Sequence, residues 1–282
     1  MRTLTPSSAL AVLKVGGREL RPGPELGRLT DLVGSLRRAG RALVVVHGAG
    51  EEITDRARAL GLESTVVRGQ RVTSRPLLEV VVEVMAGRVN ARLVAALGAR
   101  GVRAVGLSGA SDGLLQVRPT PRLGFVGTPR SVEPRVLHEL LGRGIVPVVA
   151  PLGVDRAGQL YNVNADVAAG AIAAELGAEL WTLTDVPAVR DAEGSPIAAL
   201  TVSAAKALLA HGGATAGMIP KLEGALAALA GGAPRVWVGD LEGLSAAGPR
   251  SGSGTLLASD PSPPGSIPLL TSRRTVRGGV QR

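Results

Sequence analysis

Of the 32 basic residues in this 282-residue chain, only Lys14, Lys206 and Lys221 are lysines. An ammonium is a compact point charge and a guanidinium a planar fork, so a chain that uses arginine almost everywhere keeps lysine where the compact charge is needed. Lys14 stands near the end of the apolar run Ala9 to Val15 and is followed by Gly16 and Gly17, which reads as a buried strand running into a tight turn. Lys221 follows Pro220, in the first turn of a helix predicted over Lys221 to Leu229, where the helix dipole disfavours a cation by about 0.3–1 kcal/mol. A cation held against its local preference points to a bound anion or to a carboxylate nearby. Asp166 can supply that carboxylate. It closes Tyr161-Asn162-Val163-Asn164-Ala165-Asp166, where a loop enters the helical run Val167 to Leu176. Lys206, inside a helix capped by Thr201 or Ser203 and broken at His211-Gly212-Gly213, reads as a solvated surface residue.

The elements that must position these groups follow from hydrophobic period and turn residues. Leu26, Leu29, Leu32, Val33 and Leu36 have helical spacing, Gly40 ends them, and Ala42 to Val46 is a second buried strand. The resulting strand–helix–strand unit is of the right-handed parallel kind. His47-Gly48-Ala49-Gly50 then turns into a helix over Glu51 to Leu60, and the unsatisfied N–H groups of such a turn can hold an anion. Taken alone, His47 is as compatible with a structural as with a functional role. Gly69 to Thr73 reads as an extended or loop segment, and Arg71 within it is either a carboxylate clamp or ordinary surface charge. Ser74 and Pro76 open a helix that carries Leu77, Leu78, Val81, Val84 and Met85 and extends past Gly87 to Leu97. Further strands are predicted at Val102–Leu107, Ile145–Ala150, Leu180–Leu183 and Val236–Val238, with an edge strand at Thr255–Leu257 and part of a hairpin at Leu123–Gly127. From Ser259 onward the Pro, Ser, Gly and Arg content predicts a disordered tail.

Composition narrows the classes. With 45% hydrophobic and 20% charged residues the chain can bury a sizeable core, and only Phe125, Tyr161, Trp181 and Trp237 are aromatic, so Val, Leu and Ala must fill it. There is no cysteine, which excludes disulfides and thiolate metal sites and agrees with a cytoplasmic location. No apolar run approaches the roughly 20 residues that cross a bilayer. The net charge of +9 is scattered and lacks interleaved aromatics, so it speaks for anionic small substrates or plain solubility rather than nucleic acid. No Gly-Lys-Ser/Thr triplet and no Ser-His-Asp arrangement is visible.

Six segments, AVLKVGG (Ala11–Gly17), VVVHGAG (Val44–Gly50), GQRVT (Gly69–Thr73), YNVNAD (Tyr161–Asp166), LTDV (Leu183–Val186) and GMIPKLE (Gly217–Glu223), occur in an order that resembles the amino-acid kinase family, and within it the branch that phosphorylates N-acetyl-L-glutamate in arginine biosynthesis. The resemblance covers roughly residues 10 to 257. It implies an α/β three-layer sandwich with an open, mainly parallel eight-stranded central sheet. Residues 1–155 would form an amino-acid-binding and dimerising lobe, and residues 156–258 an ATP lobe. It further implies that Lys14 and Lys221 flank the transferring phosphoryl group while Asp166 holds both ammonium groups. Gly17, Gly48, Ala49, Gly50, Arg71 and Asn162 would contact the acylated amino acid; Asp185, Val186, Val189, Gly213, Ala214 and Thr215 would surround the nucleotide. Mg²⁺ would arrive with ATP, held by phosphates rather than by a protein metal site.

The chain departs from the family at positions 49, 188 and 216, where Ala replaces the usual Gly; a positive φ at position 49 would strain the turn. The other readings are a carrier-protein-linked aminoadipate kinase of lysine biosynthesis and a non-catalytic amino-acid-binding homologue. The latter is disfavoured by the presence of Lys14, Asp166 and Lys221 together. Because only about ten residues precede the first strand, the expectation is a homodimer insensitive to arginine.

Overall fold

The computed structural model describes residues 10–67, 69–212 and 218–260. Strand β1 (Leu10–Val15), helix α1 (Pro24–Arg38), β2 (Ala42–His47) and α2 (Gly50–Ala59) form the expected alternation. A short hairpin of β3 (Val66–Val67) and β4 (Gln70–Arg71) leads to α3 (Arg75–Val81), capped by the Ser74 hydroxyl. This helix passes through a π-helical stretch, Val82–Val89, into α4 (Asn90–Gly98). There follow β5 (Ala104–Ser108), β6 (Leu115–Pro119), β7 (Gly127–Val132), α5 (Arg135–Gly142), β8 (Val146–Ala150), β9 (Leu152–Val154) and β10 (Leu160–Asn162). The remainder comprises α6 (Ala165–Leu176), β11 (Glu179–Leu183), β12 (Ala199–Thr201), α7 (Val202–Ala210), α8 (Ile219–Ala230), β13 (Val236–Gly239), the hairpin β14 (Leu244–Ser245) and β15 (Gly248–Pro249), and β16 (Thr255–Ala258).

The central sheet has eight strands in the order β12-β16-β13-β11-β1-β2-β8-β5. Six run parallel; β16 lies antiparallel to β13 and parallel to β12. Alternate side chains of each buried strand feed two cores, as a pleat with a period of two requires. Leu13 and Val15 face α1 to α4, with Leu29, Val33 and Ile53, while Val12, Val44 and Val46 face α5, α6 and α8, with Leu137, Ile172 and Leu222. The expected three layers are present.

Two local expectations differ. Thr255–Leu257 is not the edge: the three-residue β12 lies outside it, too short to leave a period in the sequence. Of Leu123–Gly127 only Gly127 joins the hairpin strand β7, which pairs with β6; Gly124 instead bridges Thr73.

Candidate active site

The register of β1 sets Lys14 opposite Val46 on β2 and Thr182 on β11, so the carboxyl ends of three neighbouring strands open at one place. That is where an open α/β sheet binds its ligands. Past the strand ends the chain turns sharply: the Gly48 N–H donates to the Val15 carbonyl at 2.9 Å, and a Cβ on Gly17 would lie 3.3 Å from the Gly50 nitrogen. The two glycine turns therefore stack side by side. Ala49 has φ −152° and Ala188 is not among the positive-φ residues, so an alanine methyl strains the backbone at neither position. Ala216, with Gly213, Ala214 and Thr215, lies outside the described residues.

α6 enters the same place from the other side of the sheet. The Asn164 side chain caps it, accepting from Asp166 N at 2.8 Å and Val167 N at 3.2 Å, and donates to the Gly69 carbonyl at 3.1 Å. Asp166, in the first turn, meets Lys14: Nζ to Oδ1 is 2.9 Å, with side-chain exposures of 12% and 7% respectively. No hydrogen bond otherwise satisfies that oxygen, so it depends on the ammonium.

α8 packs on α6 and carries Lys221 in its first turn, with Pro220 beside it. Burial, and next the Lys14 ammonium, push the Lys221 pKa below the ordinary lysine value; Asp166, Asp185 and Glu19 act the other way. Lys14, Asp166 and Lys221 thus form one electrostatic unit.

Two adjoining cavities share Lys14, Gly16, Gly17 and Gly50 as a wall. The larger, of about 290 Å³, is lined by every residue expected at the acylated amino acid: Gly17, Gly48, Ala49, Gly50, Arg71 and Asn162, with Asp166. The smaller, about 180 Å³, contains Lys221, Thr184 and Asp185. Arg71 donates to the Gly50 carbonyl at 2.6 Å, to Thr54 Oγ1 at 3.0 Å and to Ser64 Oγ; burial lowers its pKa. Asn162 is buried and donates to Thr73 Oγ1 at 3.2 Å. Burial would raise the Asp185 pKa, but its backbone and Thr184 hydrogen bonds and the Arg18 and Lys221 charges outweigh it and hold the group ionised. Val186 packs on the core, and Val189 is fully buried in it with its N–H given to Thr255 Oγ1 at 2.9 Å, so neither lines these cavities.

His47 is structural. It is completely buried, its Nε2 lies 3.0 Å from Asn90 Nδ2, and the same amide donates to the Val148 carbonyl at 2.9 Å. Desolvation lowers its pKa to about 4, so the ring is neutral. Sequence reasoning missed Thr54, Ser64 and Thr73, which brace Arg71 and Asn162, because a lone hydroxyl carries no spacing signal.

A profile of the amino acid kinase family matches residues 9–240. The chain belongs to the amino acid kinase family. Among curated members, the acetylglutamate kinase of Jannaschia sp. (strain CCS1) is 44% identical over 225 residues, 79% of each chain. That of Geobacillus kaustophilus is 43% identical over 234 residues, 80% of this chain and 88% of the relative. The crystal structure of N-acetylglutamate synthase from Neisseria gonorrhoeae, complexed with coenzyme A and N-acetyl-glutamate, has a TM-score of 0.79 at 28% identity, covering 90% of this chain and 60% of that one. Carbamate kinase from Giardia lamblia bound to AMP-PNP, at 16% identity and a TM-score of 0.65, shares the amino acid kinase fold over 89% of this chain and 99% of its own.

Proposed function

We propose that this chain transfers the γ-phosphoryl group of ATP to the side-chain carboxylate of N-acetyl-L-glutamate, giving N-acetyl-L-glutamyl 5-phosphate and ADP in arginine biosynthesis. The observation that carries this reading is Lys14 on the wall common to two cavities, ion-paired with Asp166 of the larger and facing the smaller, which Lys221 lines. Curated acetylglutamate kinases more than 40% identical over four-fifths of the chain support the choice of substrate.

An ionised carboxylate is already a nucleophile, so no general base is needed. One of its oxygens forms the new O–P bond as the bond from the γ-phosphorus to the β,γ-bridging oxygen breaks. The protein's part is alignment and charge neutralisation. Lys14 and Lys221 offset the charge on the phosphoryl oxygens from two sides, Asp166 fixes the ammonium groups, and the N–H groups of the two glycine turns donate to the same oxygens. Arg71, braced from three directions, faces a carboxylate of the acylated amino acid, and Asn162 its amide. Asp185, with Gly213, Ala214 and Thr215, belongs to the nucleotide side. Mg²⁺, when bound with ATP, supplies further neutralisation of the triphosphate.

In this reading residues 1–155 hold the amino acid, residues 156–258 hold ATP, and the enzyme works in the cytoplasm as a homodimer. The open edge of the central sheet at β5, with Val105 exposed, supports self-association. The test is incubation with MgATP and N-acetyl-L-glutamate in hydroxylamine, which converts an acyl phosphate to a coloured hydroxamate. Hydroxamate should form with this substrate; its absence there and appearance with carrier-bound aminoadipate would refute the assignment.

A further inference from the structure

We infer that Arg18 is a further substrate-contacting residue, whose guanidinium leaves the Asp185 carboxylate and takes the β-phosphate of the bound nucleotide. This rests on the phosphoryl-transfer reading above and adds a residue to it.

Arg18 follows the Gly16-Gly17 pair and opens the 3₁₀ turn Arg18–Leu20. Its backbone is fixed: the N–H groups of Leu20 and Arg21 donate to the Gly17 and Arg18 carbonyls at 3.3 Å each, and the Leu20 side chain is buried in the core. Its side chain is 62% exposed and reaches over the smaller cavity, where Nη1 lies 3.5 Å from Asp185 Oδ2 and Nε 3.9 Å from Glu51 Oε1 at the start of α2. Both contacts are longer than the about 2.7–2.9 Å of a charge-assisted hydrogen bond, so charge alone holds the guanidinium and its fork of donors is spent on neither carboxylate.

Arg18 can leave these partners without stranding a charge. Glu51 keeps Arg21, whose Nε lies 3.3 Å from its other oxygen. Asp185 keeps the Thr184 hydroxyl, which donates to its other oxygen at 3.1 Å, and the field of Lys221. Exposed ion pairs of this length are weak, whereas a planar fork can meet two oxygens of one phosphate. Without Arg18 the cavity would offer Lys14 and Lys221 against the carboxylates of Glu19, Glu51 and Asp185, a poor host for a polyanion.

Position decides which phosphate. The γ-phosphoryl group moves at the wall that the two cavities share, formed by Lys14, Gly16, Gly17 and Gly50. Of the two cavities Arg18 lines only the smaller, so it meets the part of the donor that stays behind. There the β-phosphate gains charge as its bridging oxygen parts from the γ-phosphorus, and a guanidinium on it stabilises the leaving group.

Calorimetric titration of the whole protein with MgADP and with AMP-PNP plus Mg²⁺, and competition by AMP, test this in Arg18→Met, which keeps the reach of the side chain and removes its charge. Arg18→Met should weaken MgADP and AMP-PNP about ten- to a hundredfold, as for a lost hydrogen bond to a charged group. AMP, which has no β-phosphate, should compete as it does in wild type. Arg18→Lys should fall between, since it restores the charge but not the fork. An Arg18→Met protein that binds MgADP as well as wild type, or more tightly, would make Arg18 a mere tie across the cavity and overturn the proposal. A loss shared equally by AMP, or confined to AMP-PNP, would overturn it too, and in each case the kinase reading would stand. Wild type that binds MgADP yet forms no hydroxamate would refute the kinase reading alone, and wild type that binds no nucleotide would overturn both.

Discussion

At the residue scale the Lys14–Asp166 pair couples stability to chemistry. Both side chains are nearly buried, and removing one partner of such a pair strands the other charge, at about 3–5 kcal/mol. Asp166→Ala should therefore lower the unfolding free energy from urea titration by an amount of that order, as well as abolishing turnover. Lys221→Ala should lower kcat by about a hundredfold to a thousandfold or more. Unchanged kcat would remove Lys221 from the mechanism. Because burial and Lys14 lower its pKa, the ammonium is lost below the ordinary lysine range; activity should decline there on the alkaline side, a limb that Lys221→Arg would remove from the pH profile. His47 makes the opposite kind of claim. Its folded pKa is near 4 against 6.5 unfolded, so the folded state excludes the proton that the unfolded chain accepts. Stability is complete above pH 6.5 and drops by about 3 kcal/mol as pH falls to 4. In His47→Asn this part of the pH dependence of unfolding should vanish. The sequence left His47 open between structure and function because the deciding facts, complete burial and the Asn90 amide, belong to a helix distant in the chain.

At the element scale the site depends on how closely α6 and α8 approach. A Cβ on Gly170 would come within 2.9 Å of the Gly224 carbonyl, and one on Gly224 within 3.2 Å of the Asp166 carbonyl. These glycines let the helix that carries Asp166 lie directly against the helix that carries Lys221. Gly224→Val should push α8 outward, with kcat falling far more than the KM for N-acetyl-L-glutamate rises, because Arg71 and Asn162 stand on other elements. Equal changes in both constants would mean that the helix contact does not set the lysine's position. The helices and the buried strands were legible because their signals are local: continuous Val and Leu runs ended by glycine, Ser74 and Thr201 caps, and Pro220 at a helix start. β12 and the β3–β4 hairpin were not, since strands of two or three residues are made by their partners rather than by their own period.

At the scale of the whole molecule, the site gathers segments scattered from residue 14 to residue 221, and no spacing rule brings Lys14 to Asp166. Six ordered motifs carried that information through family resemblance; the ion pair, the common wall and the braces on Arg71 came only from the fold. The proposed boundary near residue 155 separates binding tasks, yet it does not divide the sheet. β1 pairs with β11 on one side, from Ala11–Glu179 to Lys14–Thr182, and with β2 on the other, so the central ladder runs unbroken through both halves. The two cores lie on opposite faces of that ladder and each draws residues from both halves. Neither half can then keep its hydrophobic face covered while the other unfolds, and calorimetry should show one cooperative transition rather than two. A ligand that binds only the native state adds RT ln(1 + [L]/Kd), about 2.7 kcal/mol at a hundredfold excess over Kd, which for a chain of this size is a rise of roughly 5–10 °C. AMP-PNP with Mg²⁺ should move the whole transition by that amount without splitting it. An early, ligand-insensitive step followed by a shifted one would show that the amino-acid half unfolds independently, and that the β1–β11 ladder does not couple the two.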